Sequence, residues 1–112
     1  MIIVHLRAAI PEDRLLHIAA QWSGVPAEDI AHDYIPRDRG FLTTFELYGR
    51  GTNELDFARR LAVELKQDVV IAPPEERSPS HWWLVDPSGE VHDVMQALDD
   101  DDENLELVDT AA

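Results

Sequence analysis

The sequence predicts an α+β fold, with two helices packed on one face of a mainly antiparallel sheet of four to six strands. Three observations lead there. Apolar residues alternate with a period of two near the start of the chain, two later stretches carry apolar residues at helical spacing, and three short strand-like runs follow the second of these. The resulting order is strand, helix, one or two strands, helix and three short strands, all within a single domain over residues 1–98. Residues 99–112 are expected to form an unstructured acidic tail.

The first strand is read from Ile2, Val4 and Leu6, which alternate with Ile3, His5 and Arg7. Pro11 then pre-sets φ for the first helical position, Glu12 and Asp13 favour the positive end of the helix dipole, and Leu15, Ile18, Ala19 and Trp22 form an apolar stripe. Gly24 is expected to end this helix in a left-handed conformation. Residues 26–35 allow a single helical turn over Pro26 to Ile30 and a short strand over Ala31 to Ile35. Pro36-Arg37-Asp38-Arg39-Gly40 has turn chemistry, and Phe41 to Tyr48 reads as a strand with Phe41, Thr43, Phe45 and Leu47 on one face. After Gly49-Arg50-Gly51, Thr52 or Asn53 caps a second helix whose stripe is Leu55, Ala58, Leu61, Ala62 and Leu65. Asp68 to Ala72, Trp82 to Val85 and Glu90 to Met95 are the last strands. The final two are joined through Asp86-Pro87-Ser88-Gly89, with Pro and Gly at the second and fourth positions of a type I turn.

With 112 residues the chain holds one hydrophobic core, since a chain of this size buries roughly two-thirds of its unfolded surface. It has no cysteine, which excludes disulfides, thiolate metal sites and Cys nucleophiles. No apolar run approaches the ~18 residues of a membrane span, and the N-terminus lacks a signal-peptide pattern, so a cytoplasmic location is expected. The net charge of -14 argues against nucleic acid and anionic membrane as ligands and in favour of a basic protein partner. Half of that charge sits in the last fourteen residues, around Asp99-Asp100-Asp101-Asp102-Glu103. Either this tail is a solvated appendage, or Leu105, Leu107 and Val108 let it order on a basic surface.

Chemistry-bearing motifs are sparse. The five histidines fall on five different elements without H-x-x-x-H or H-E-x-x-H spacing, so no metal site is assigned. His32-Asp33 and His92-Asp93 resemble the histidine-aspartate pair of metal phosphohydrolases, but lie in strand or loop context. Ser80, His81 and Asp86 lack the G-x-S-x-G elbow of a hydrolytic triad, and no catalytic residue is assigned. Gly49-Arg50-Gly51-Thr52-Asn53 precedes a helix and could offer Arg50 and the amides of Gly51 and Thr52 to an anion, although a turn plus an N-cap also accounts for it. In Trp82-Trp83, adjacent strand positions send the two indoles to opposite faces. One can join the helix-covered core; the other packs beneath the Pro73 to Pro79 loop or serves as a partner anchor, a role for which Trp82 is the candidate.

The run Asp56-Phe57-Ala58-Arg59-Arg60-Leu61-Ala62 to Lys66, then Asp68-Val69-Val70-Ile71-Ala72, then Trp83-Leu84-Val85-Asp86-Pro87-Ser88-Gly89 resembles a pattern in many small acidic bacterial proteins. Among these are immunity proteins that neutralise polymorphic toxins. The resemblance spans residues 53–94. It implies an intracellular binder, with no cofactor and no turnover, that occludes the active site of a secreted effector. An effector acting on an anionic substrate has a basic cleft, for which a carboxylate-rich inhibitor can compete. The expected contacts are Asp29, Asp33, Glu75 and Glu76, followed by Glu28 and Asp38, with Trp82 as an apolar anchor. The rival readings are a small metal-dependent or hydrolytic enzyme, an acidic nucleic-acid mimic, and an adaptor that docks through its tail.

Overall fold

The computed structural model describes residues 2–38, 40–49, 53–72, 81–96 and 107–109; at 81, 95–96 and 107–109 only the backbone pairing is described. Alternation at the start of the chain produces strand β1 (Ile2–Leu6), and helix α1 (Glu12–Ser23) follows. A single 3-10 turn (Ala27–Asp29) leads into β2 (His32–Pro36), so both readings of residues 26–35 hold, one after the other. Next come β3 (Thr43–Leu47), helix α2 (Glu54–Leu65), β4 (Val69–Ile71), β5 (His81–Val85), β6 (Val91–Gln96) and β7 (Leu107–Asp109).

All seven strands join one antiparallel sheet in the order β2-β3-β1-β4-β5-β6-β7. Two helices on an antiparallel sheet make this the expected α+β fold. The sheet has one strand more than the expected range, because Leu107–Asp109, within the segment read as an acidic tail, pairs with β6. The rest of residues 99–112 lies outside the described residues.

One face of the sheet carries Ile2, Val4, Leu6, Phe45, Leu47, Val69, Ile71 and Val85, all buried in one core with Leu15, Ile18 and Ala19 of α1 and the apolar stripe of α2. That stripe is Phe57, Ala58, Leu61, Ala62 and Leu65. It is rotated from the expected one, for Phe57 is fully buried while Leu55 is only partly so. The two helices are joined where the Trp22 ring packs on Phe57 at 4.8 Å and its Nε1 donates to Asp56 at 2.8 Å. Pro11 is the N-cap of α1 rather than its first helical residue, with extended ψ of 144°. Gly24 ends α1 at φ 74°, where a side chain would be strained.

The opposite face holds a smaller cluster of Phe41 and Val70 with Trp82 and Leu84 against it. Phe41 therefore does not share a face with Phe45 and Leu47. The strand begins only at Thr43, and the preceding turn carries Phe41 to the other side, where Arg7 lies 4.6 Å over its ring. Among the described residues no helix is long and apolar enough to cross a membrane.

Candidate partner-binding surface

Those acidic residues singled out in the sequence that fall within the described residues gather around the outer strand β2. Glu28 and Asp29 are exposed on the 3-10 turn that delivers the chain into β2, Asp33 is exposed within it, and Asp38 is exposed just beyond its far end. Residues 15–36 contain no Lys or Arg, so no cation from this stretch offsets them. Glu75 and Glu76 lie outside the described residues.

Strand pairing adds a carboxylate that sequence reasoning missed. Asp33 stands opposite Glu46 in the β2–β3 register, and the Tyr48 hydroxyl donates to both side chains. The two carboxylates, Asp33 first, make loss of the phenolic proton costly and push the Tyr48 hydroxyl up to about 12. Glu46 could have been recognised only by knowing which strand neighbours β2, since its own sequence surroundings show nothing but alternation.

On the helix side of the same strand, His32 joins β2 to α1. Its Nδ1 lies 2.9 Å from the Ile30 carbonyl oxygen and its Nε2 lies 2.8 Å from Glu12 Oε2. A carbonyl and a carboxylate both accept, so both bonds form only when each ring nitrogen carries a proton, which is the imidazolium. The Ile30 carbonyl, the largest influence, holds the His32 pKa above its ordinary value; burial, next in size, opposes it, and Glu12 adds to the upward shift. His32 and Asp33, being strand neighbours, point to opposite faces, which rules out their acting as a metal-binding pair.

Trp82 and Trp83 separate as expected. Trp83 packs against the helix-covered core, and Trp82 sits half-buried on the opposite face of the sheet; the Pro73 to Pro79 loop lies outside the described residues. The His5 ring meets Trp82 edge-on at 5.5 Å, and the Trp82 Nε1 proton is buried without an acceptor among the described residues. His5 Nδ1 lies 2.9 Å from Thr44 Oγ1, which also accepts from Arg37 Nε at 3.1 Å. Thr44 thus has its own proton available for an unprotonated His5 Nδ1. Burial, then the Arg37 charge, lowers the His5 pKa to about 4.

The β5–β6 turn brings together Asp86, Glu90 and His92, whose ligand atoms lie within 4.8 Å of one another. Asp86 is already occupied there: Oδ1 accepts from the Ser88 amide at 2.9 Å, the Ser88 hydroxyl and the Glu90 amide at 3.1 Å, and Oδ2 faces His92 Nε2 at 2.7 Å. These donors, Ser88 and then His92, hold the carboxyl far below the usual carboxylate range. A cation would have to displace contacts that hold the turn closed. The imagined triad is not formed, since Asp86 follows the Val85 end of β5 and His81 begins the other end. Ser80, and Arg50 to Thr52 of the glycine turn, lie outside the described residues.

No protein-family model, curated protein or solved structure matches the chain.

Proposed function

We propose that this chain is a cytoplasmic binding protein without turnover or cofactor, an immunity protein that neutralises a toxin by covering its basic active-site cleft. The supporting observation is the group of exposed or partly exposed carboxylates Glu28, Asp29, Asp33 and Glu46 at one edge of the sheet, beside a stretch with no Lys or Arg. Such a surface steers a cationic partner toward it and penalises an anionic one, raising the association rate and setting the orientation. Asp38 flanks this region just beyond β2, whereas Trp82 lies on β5, with β3, β1 and β4 between it and β2. The rival reading as a metal enzyme draws on Asp86, Glu90 and His92, and metal analysis of the purified protein separates the two.

The test begins with affinity capture and mass spectrometry, where a cationic enzyme domain in equal amount is expected. Its affinity for the triple variant E28K/D29K/D33K is then measured across a range of salt concentrations. These side chains are exposed, so the fold should persist, while affinity should fall at least about tenfold and its salt dependence should flatten. Unchanged affinity together with unchanged salt dependence overturns the reading.

A further inference from the structure

The geometry points to β2 as a docking edge that takes an extended, basic segment of a protein partner as an eighth strand. Among the described residues β2 is the outermost strand, paired only with β3. The Tyr48 amide donates to the Ala31 carbonyl, and the Arg37 amide donates to the Leu42 carbonyl. In an antiparallel ladder hydrogen-bonded positions alternate, so residues 31, 33, 35 and 37 direct their backbone groups toward β3. His32, Tyr34 and Pro36 direct theirs outward. The edge thus presents the amides of His32 and Tyr34 and the carbonyls of all three residues, a template for strand addition.

The strand is also held in place. The Tyr34 hydroxyl donates to the Ile10 carbonyl at 2.6 Å, and His32 is tied to Glu12. Little ordering entropy therefore remains to be lost on docking.

Charge selects the occupant. Glu28 and Asp29 precede the edge, and Asp33 projects from it beside Glu46, so an added strand meets carboxylates at its start and along its open side. Lys or Arg at alternate positions of the incoming segment would lie opposite them. A second copy is disfavoured, because two chains of net charge -14 would bring their Asp33 carboxylates onto the same face of a joined sheet. Pro36 lacks an amide proton and limits the usable register to the two donors before it.

This inference rests on the basic-partner reading but can fail separately from it. The probe is a capped peptide of alternating lysine and valine, added to the full chain, with amide hydrogen exchange followed by NMR. At ten times the peptide Kd, exchange at the His32 and Tyr34 amides should slow about tenfold, with Asp33 and Ile35 unaffected because β3 already protects them. The same peptide N-methylated on the amides of one edge should lose that protection when the methylated edge faces β2. The docking edge is overturned by no slowing up to about 1 mM peptide, by protection centred on another element, or by equal protection from the fully N-methylated peptide. Self-association of the chain through β2 also overturns it. Salt-sensitive binding with protection elsewhere removes the edge and keeps the basic partner. A serine-valine peptide that binds equally well keeps the edge and removes the basic partner.

Discussion

His32 on β2 and His5 on β1, two positions apart in the sheet, occupy opposite electrostatic situations, and they give opposite pH behaviour. The folded-state pKa of His32 is raised by acceptors at both ring nitrogens. Its contribution to stability is therefore complete below the unfolded value near 6.5 and is lost as pH rises through the folded pKa. The variant His32→Gln should lose this alkaline decline, measured as urea midpoint against pH. His5 is lowered to about 4 by burial and by Arg37. The folded state favours the neutral ring, so stability is complete above about 6.5 and falls as pH drops toward 4, by roughly 3 kcal/mol at about 1.4 kcal/mol per unit. His5→Leu should flatten that acid limb in the same measurement, whereas an unchanged limb would place its cause in the carboxylates.

Each element follows from a local rule, and the deviations have specific causes. The expected stripe of α2 included Leu55 and omitted Phe57, because an apolar count along a short helix fixes the period but leaves the rotation open by about one residue. The orientation of α2 is settled by Phe57, which Trp22 of α1 covers. Leu61 lies at the centre of that stripe and is fully buried. Leu61→Ala should cost about 2 to 5 kcal/mol in denaturant unfolding, at the high end if the two helices cannot close the cavity. Phe41 looked like the first inward residue of a strand on alternation alone. The turn before Thr43 breaks that alternation, and so Phe41 packs on the far face with Val70. The β5–β6 turn, by contrast, was legible from Asp86-Pro87-Ser88-Gly89, since the side chain of Asp86 satisfies amides only two and four residues ahead.

Over the whole molecule, the charge of -14 and the absence of cysteine bounded the partner class and the chemistry before any fold was known. The alternations, the two helical stripes and the turn residues determined an α+β chain with one buried face, because these patterns depend on neighbours a few residues apart. What they could not determine is adjacency in the sheet. That β2 lies at the edge, that Asp33 meets Glu46 beneath Tyr48, and that His32 reaches Glu12 across twenty residues are all consequences of strand order and register. Register is decided by which faces must be buried together against the helices, a long-range condition with no local signature. The sequence thus determined that the surface would be acidic, and the tertiary structure decided which carboxylates stand side by side and which backbone groups lie open next to them.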